Sequence, residues 1–118
     1  MRELDHINMS VPNLEETINY YKIFGFKIIG DFQLGRRFVY ISNGATTYEL
    51  FEDKNLTQSV VGHIAYKSND IQKDYNELKG KVEFTTGINS IDELWDNGVE
   101  YFLFKGINNE IIEYIKKR

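Results

Sequence analysis

Hydrophobic and polar residues alternate along the first segment of the chain, between Leu4 and Val11. Apolar side chains fall on one face of this segment and polar side chains on the other: Ile7, Met9 and Val11 against His6, Asn8 and Ser10. A period of two is typical of a β-strand that has one buried face. The first histidine of the chain therefore lies on the polar face of a predicted strand.

An amphipathic helix is predicted directly after this strand. Asn13 is a favourable N-cap residue, and Glu16 follows it three positions later, as in a capping box. Apolar residues then recur at helical spacing before a glycine that ends the helix: Leu14, Ile18, Tyr21 and Gly25. The first part of the chain thus predicts a strand, a turn and a helix.

The same pattern occurs a second time. Val61 to Lys67 predicts a strand that contains His63, and Asn69 or Asp70 can cap the helix that follows. The apolar residues of the two helices lie 8, 12 and 15 residues after their histidine: Leu14, Ile18 and Tyr21, then Ile71, Tyr75 and Leu78. Three matching offsets and a matching histidine indicate an internal repeat.

Each helix is followed by three β-favouring runs separated by turn residues. In the first half these are Lys27–Phe32, Arg37–Ser42 and Thr46–Phe51; in the second they are Val82–Thr86, Glu100–Lys105 and Glu110–Lys116. We therefore predict an α+β fold in which tandem βαβββ modules form a curled mixed sheet. One domain is expected over residues 1–118, with module 1 at about 1–53 and module 2 at about 60–118.

Composition narrows the class of protein. A chain of 118 residues with 42% hydrophobic residues can fill one modest core. The net charge of -4 argues against nucleic-acid binding, and no apolar run approaches the roughly 20 residues of a membrane-spanning helix. We expect a cytoplasmic protein without a membrane or nucleic-acid partner. Because there are no cysteines, any metal must be bound by nitrogen and oxygen atoms.

The repeat brings four ligand-type residues into equivalent positions. His6 and His63 are the two histidines, and the last predicted strand of each half carries a central glutamate, Glu49 or Glu113. Taken singly, His6, His63 and Glu49 are more simply hydrogen-bonded or exposed side chains, whereas for Glu113, between apolar residues, the two interpretations are nearly even. Together, two imidazoles and two carboxylates predict a divalent metal site suited to zinc, nickel, cobalt, manganese or ferrous iron.

These features resemble the vicinal oxygen chelate superfamily, and within it the glyoxalase I-like members. The matching segments cover essentially the whole chain: Leu4-Asp5-His6-Ile7, Ser10-Val11-Pro12-Asn13-Leu14, Tyr20-Tyr21, Tyr48-Glu49-Leu50, Gly62-His63-Ile64-Ala65 and Glu110-Ile111-Ile112-Glu113. The resemblance implies one metal held by a histidine and a glutamate from each module. It also implies a lyase or isomerase related to lactoylglutathione lyase, and a homodimer, with the site formed within one chain or by two subunits.

A catalytic role for the glutamates follows from the same resemblance. A metal that polarises a carbonyl group makes the adjacent C–H more acidic. Glu113, which lies in a strand with apolar residues on both faces, is expected to have a raised pKa and to act as the base. Glu49 is expected to be either a permanent ligand or a second acid–base group.

The sequence departs from glyoxalase I where the glutathione part of the substrate is bound. Ser10 stands where bacterial glyoxalase I has an arginine, and Asp53 where an asparagine is usual. Arg36 and Arg37 could bind an anionic group from another direction, although exposed strand residues are the simpler interpretation. The substrate is therefore predicted only as a small oxygenated molecule, with or without a thiol adduct.

Two other functions stay open. The superfamily also contains non-enzymatic proteins that bind antibiotics, and the eight Tyr and eight Phe residues would suit such a groove. Those binding proteins commonly lack the four ligands, which this chain keeps. Metal-dependent epimerases of acyl thioesters are a third class, but they more usually have glutamine in place of Glu49.

Overall fold

A computed structural model describes residues 2–118, so Met1, the first residue of the predicted domain, lies outside the described residues. Residues 2–118 form two helices and nine strands. They divide into two compact units: a first unit of His6–Gly62, and a second unit of residues 2–5 together with His63–Arg118. Neither helix is long and apolar enough to cross a membrane.

The first unit contains five elements in the predicted order. They are β1 (Leu4–Val11), α1 (Leu14–Lys22), β2 (Lys27–Leu34), β3 (Arg36–Ser42) and β4 (Thr47–Glu52), with the first residues of β1 counted in the second unit. The strand order is β2-β3-β4-β1. The β1–β4 pair is parallel and the other two pairs are antiparallel, which gives the mixed sheet that was predicted.

Helix α1 covers one face of this sheet. Its predicted N-cap is confirmed, since the Asn13 side chain accepts a hydrogen bond of 3.0 Å from the Glu16 backbone N–H. Leu14 and Ile18 are buried on the predicted stripe. They pack with Phe26, which precedes β2, and with the sheet residues of one face: Met9, Val11, Val39, Ile41 and Leu50. Because strand side chains alternate, His6, Tyr40 and Glu49 lie on the other face.

The second unit has the same arrangement of strands and helix, except at the edge of its sheet. Its elements are β5 (Val60–Lys67), whose first residues belong to the first unit, α2 (Ile71–Leu78), β6 (Glu83–Phe84), β7 (Asn89–Ile91), β8 (Val99–Lys105) and β9 (Ile111–Lys117). The order is β5-β9-β8-β6, with β7 also paired to β8. Asp70 caps α2, and Ile71 packs on Phe102 and Phe104 of the sheet.

The edge beside β8 differs from the sequence prediction. The strand predicted over Val82–Thr86 is shortened to β6 (Glu83–Phe84), and β7 (Asn89–Ile91), which was not predicted, also pairs with β8. The interruption is at Leu103: its carbonyl accepts from the Thr85 N–H at 2.9 Å, and its N–H donates to the Thr86 hydroxyl at 3.0 Å. A threonine side chain thus takes the place of a ladder partner, and regular pairing stops there.

Residues 2–5 join the second unit through hydrogen bonds. The Lys67 N–H donates to the Glu3 carbonyl at 2.8 Å. The Arg2 guanidinium binds both carboxylate oxygens of Asp74, at 2.9 and 3.1 Å, and lies over the Tyr114 ring. These contacts explain why the start of the chain belongs with the unit that is farther along the sequence.

Candidate functional site

The structure brings together the two predicted ligands of the first unit. His6 lies in β1 and Glu49 in the adjacent parallel strand β4. Both are buried, with 1% and 6% of their surface exposed. The His6 Nε2 atom lies 3.6 Å from the Glu49 Oε1 atom, which is too long for a hydrogen bond.

Two neighbouring side chains bind the Glu49 carboxylate. The Tyr40 hydroxyl donates a hydrogen bond of 2.5 Å to Oε2, and the Asn8 amide donates one of 3.0 Å to Oε1. The sheet register produces both contacts, since Glu49 pairs with Asn8 on β1 and with Tyr40 on β3. An O–H···O⁻ bond of this length is typical of a charge-assisted hydrogen bond.

The second unit contains the corresponding pair. His63 lies in β5 and Glu113 in β9, and His63 Nε2 is 3.8 Å from Glu113 Oε1. Glu113 is buried, with 7% of its surface exposed. Its partners in the sheet register are Ala65 on β5 and Leu103 on β8.

The chemistry of these residues fits a divalent metal. Each pair offers one imidazole nitrogen and one carboxylate oxygen, the atoms that zinc and similar ions prefer. Two ligand atoms bound tetrahedrally at about 2.1 Å from one ion lie about 3.4 Å apart. The separations of 3.6 and 3.8 Å are close to this value. The histidine and the glutamate of each unit can therefore act as metal ligands with little movement of their side chains.

Other predicted binding residues are engaged elsewhere. The Arg37 guanidinium bonds to Asp31 and Glu15, which also raise its pKa. Arg36 donates to the Glu52 carbonyl at 3.0 Å and lies over the Phe51 ring. Both arginines therefore match the interpretation as strand residues with structural contacts rather than as anchors for an anionic substrate.

The positions that depart from glyoxalase I have local roles as well. Asp53 is part of the turn after β4: its N–H donates to the Val11 carbonyl, and its carboxylate accepts from the Asn55 N–H. Ser10 is paired with Phe51 in the sheet register. Neither side chain carries a positive charge that could replace the arginine missing at Ser10.

Sequence reasoning assigned no site role to Tyr40 or Asn8. Tyr40 was only part of the predicted strand Arg37–Ser42, and Asn8 only part of a polar strand face. A two-residue turn at Asn43-Gly44 would have paired Tyr40 with Thr47, whereas the observed four-residue loop, residues 43–46, pairs Tyr40 with Glu49. The donor role of the Tyr40 hydroxyl required the three-dimensional structure.

A cavity of about 430 Å³ in the first unit lies on the other face of β1. Its lining includes Met9, Val11, Pro12, Thr17 and Tyr20. Because Met9 and Val11 alternate with His6 and Asn8, this cavity does not open onto the His6–Glu49 pair.

Comparison with solved structures shows the fold of the whole chain. A hypothetical protein from Bacillus halodurans C-125 is 18% identical, with 99% of this chain and 95% of that chain covered and a TM-score of 0.80. A variant methylmalonyl-CoA epimerase from Streptomyces coelicolor, in complex with 2-nitronate-propionyl-CoA, is 17% identical over 98% and 96%, with a TM-score of 0.78. A mutant 4-hydroxymandelate synthase from the same organism is 15% identical, covers 99% of this chain and 49% of that chain, and has a TM-score of 0.78. The predicted α+β, glyoxalase-like fold is confirmed.

Sequence comparison identifies the family. No curated protein sequence matches this chain. The family model described as Glyoxalase/Bleomycin resistance protein/Dioxygenase superfamily matches residues 3–102. The chain therefore belongs to the glyoxalase/bleomycin resistance protein/dioxygenase superfamily, the vicinal oxygen chelate group that its sequence resembles.

Proposed function

We propose that the protein is a metal-dependent enzyme that transfers a proton at a carbon atom next to a carbonyl group. The observation that carries this proposal is the paired geometry of the two units. In each, a buried glutamate lies within 4 Å of a histidine, as His6–Glu49 and as His63–Glu113. A buried carboxylate is costly unless it has partners, and a cation is the strongest of these.

The four residues would act together as ligands of one divalent ion: zinc, nickel, cobalt, manganese or ferrous iron. When bound, the metal supplies Lewis-acid polarisation of the substrate carbonyl oxygen. The same four residues serve whether the site is formed within one chain or between two subunits. Metal content per chain is therefore the first quantity to measure.

Glu113 is the proposed base. Its carboxylate accepts the proton from the carbon beside the carbonyl group. Return of this proton to the neighbouring carbon, while the hydroxyl proton passes to the former carbonyl oxygen, isomerises the substrate, as in glyoxalase I. Inversion at the first carbon, as in an epimerase, instead needs the proton to be delivered to the opposite face by a second acid. Neither outcome changes the oxidation state overall, so no further reactant is needed.

Membership of the superfamily supports an enzymatic function in general terms. Structures that share the fold include proteins described as an epimerase and as a synthase. Which of the two reactions occurs, epimerisation or glyoxalase-type isomerisation, depends on the structure of the substrate. The absence of an arginine at Ser10 favours substrates that lack the carboxylates of glutathione.

The test combines metal analysis with hydrogen exchange. Purified protein is supplied with nickel, cobalt, zinc and manganese in turn, and the bound metal is measured for wild type, His63→Ala and Glu113→Gln. Each metal-loaded protein is then incubated in D₂O with 2-oxoaldehyde thiol adducts and with 2-substituted acyl thioesters. We expect about one metal per chain in wild type, a sharp loss in His63→Ala, and deuterium incorporation that requires Glu113.

An exposed glutamate provides the matched control. Glu77 lies in α2 and is exposed, so Glu77→Gln removes the same charge outside the proposed site. This variant should keep the wild-type metal content and the wild-type exchange rate. Wild-type protein that binds none of the four metals, with folding unchanged in the variants, would contradict the proposal and favour a non-enzymatic binding protein of the superfamily.

A further inference from the structure

The Glu49 carboxylate is held at both of its oxygen atoms. Tyr40 donates to Oε2 and Asn8 donates to Oε1. An ionised carboxylate has about four acceptor positions, so one carboxylate can accept hydrogen bonds and also bind a metal ion. The two donors come from the strands on either side of Glu49, which restricts rotation of the carboxylate in both directions.

Tyr40 is itself held in place by its surroundings. Only 2% of its surface is exposed, and its ring meets Phe32 and Phe38 edge-on. Its ring also lies edge-to-face with the His6 imidazole, with 5.5 Å between the centroids. One side chain therefore contacts both proposed ligands of the first unit.

The orientation of the Asn8 side chain depends on the absence of a side chain at Gly62. A side-chain carbon added at Gly62 would overlap the Asn8 Oδ1 atom. The Asn8 amide is thus placed with its oxygen toward Gly62 and its nitrogen toward Glu49. The space above Gly62 allows the orientation in which Asn8 donates to the carboxylate.

We infer that Tyr40 and Asn8 are positioning residues that hold Glu49 as a fixed metal ligand beside His6. This inference rests on the proposed function and adds to it two residues and the role of Glu49. Partners that orient a ligand typically contribute 10- to 100-fold to metal affinity. Neither residue needs to touch the substrate to have this effect.

The test uses removal of a single hydroxyl group. Tyr40→Phe keeps the ring and its contacts but removes the donor to Glu49. Cobalt(II) is titrated into the metal-free protein, and affinity and the visible absorption spectrum of the bound ion are recorded. We expect affinity to fall by about 10- to 100-fold, with a changed spectrum and unchanged secondary structure.

Tyr48→Phe is the matched control. Tyr48 precedes Glu49 in β4 and lies on the opposite face, packed with the helix-side core. This variant should bind cobalt(II) as wild type does. Asn8→Leu, which keeps the size of the side chain but removes the amide, and Gly62→Ala, which displaces Asn8, should both weaken binding in the same range. These two variants also test the inference if Tyr40→Phe fails to fold.

A double variant separates positioning from general destabilisation. If Tyr40 acts through Glu49, then Tyr40→Phe should have no further effect on cobalt(II) affinity in a Glu49→Ala background. Equal affinities of wild type and Tyr40→Phe, or a full additive loss in the double variant, would overturn the inference while the metal site itself stands. Wild-type protein that binds no cobalt(II) would overturn the proposed function and the inference together.

Discussion

The two buried glutamates occupy the same place in the repeat but have different neighbours. Glu49 is paired with Asn8 and Tyr40, both of which donate hydrogen bonds to it. Glu113 is paired with Ala65 and Leu103, whose side chains are hydrocarbon. The backbone register is the same in both cases, so the difference arises from two substitutions on adjacent strands.

This difference indicates how one repeated scaffold can supply two kinds of carboxylate. Hydrogen-bond donors on both sides hold a carboxylate in one orientation, as a permanent ligand requires. Ala65 and Leu103, which hold the corresponding register positions beside Glu113, have side chains that cannot donate such hydrogen bonds. The comparison therefore supports Glu49 as the fixed ligand and Glu113 as the base.

The largest expected effect is on hydrogen exchange, when each of the two glutamates is replaced by the isosteric glutamine. Glu113→Gln should reduce deuterium exchange into the substrate by about 10²- to 10⁴-fold, because an amide cannot accept the proton. Glu49→Gln should mainly weaken metal binding and recover much of its exchange activity at saturating metal. Exchange rates measured over a series of metal concentrations check both expectations. Equal loss of exchange in the two variants at saturating metal would remove the distinction between them.

A smaller effect should follow if the second unit is made more like the first. Leu103→Tyr places a hydroxyl group at the register position that Tyr40 occupies beside Glu49. A hydrogen bond to Glu113 should reduce its ability to take the proton, and we expect turnover to fall by about 10- to 100-fold with metal content unchanged. Leu103→Phe adds the ring without the hydroxyl and is the control. A Leu103→Tyr enzyme no slower than Leu103→Phe would contradict this explanation.

Most of the fold could be predicted because local patterns and the fold agree. Strand β1 has the predicted bounds, and the Asn13 cap is formed as the sequence indicates. The internal repeat predicted the same order of strands and helix a second time, from a different part of the sequence. The exception was the edge beside β8, where the Thr86 hydroxyl replaces a backbone partner. A side-chain contact with a residue 17 positions away has no signature in local periodicity.

The candidate ligand residues could be named from the sequence, but the residues that contact them could not. The two histidines and the glutamates of β4 and β9 stand out because the repeat aligns them. Tyr40 does not stand out, because an aromatic residue in a strand more often fills a core than donates to a carboxylate. Its role depends on which face of β3 meets Glu49, and that is fixed by the register of the hairpin.

The next expected effect concerns stability and compares an ion pair in each unit. Arg2 binds Asp74, whose side chain is 12% exposed, whereas Arg37 binds Asp31, whose side chain is 45% exposed. Burial alone would raise the pKa of Asp74, but hydrogen bonds from Ser68 and Arg2 and the charge of Arg2 outweigh it, so the pKa is lowered. Asp74→Asn should cost about 1.5 kcal/mol at neutral pH, and Asp31→Asn about 0.5 kcal/mol or less.

The pH dependence of this pair has a definite sign. Because the pKa of Asp74 is lower in the folded protein than in the unfolded chain, its contribution is present above about pH 4. It is lost as the pH falls through the folded pKa. Urea unfolding at pH 7 and near pH 3 should show the difference between wild type and Asp74→Asn becoming smaller at the lower pH. A difference that grows on acidification would contradict the assignment.

The smallest expected effect compares the two helix N-termini. In α2 the Asp70 carboxylate accepts from the Lys73 N–H at 3.0 Å. In α1 the Asn13 side chain has the same role, but the Glu52 carboxylate also accepts from the Leu14 N–H at 3.0 Å. Asp70→Ala should therefore destabilise the protein by about 1 kcal/mol, and Asn13→Ala by roughly half as much.

Salt distinguishes the two caps further. Asp70 is charged and interacts favourably with the positive end of the helix dipole, whereas Asn13 is neutral. Added salt screens only the charged cap, so the cost of Asp70→Ala should fall between 0 and about 0.5 M sodium chloride while that of Asn13→Ala stays constant. Urea unfolding at the two salt concentrations measures both. If the free-energy costs of the two substitutions changed in parallel with salt, the hydrogen bond rather than the charge would account for the whole effect of Asp70. The two helix N-termini would then differ only because Glu52 supplies a second acceptor to α1.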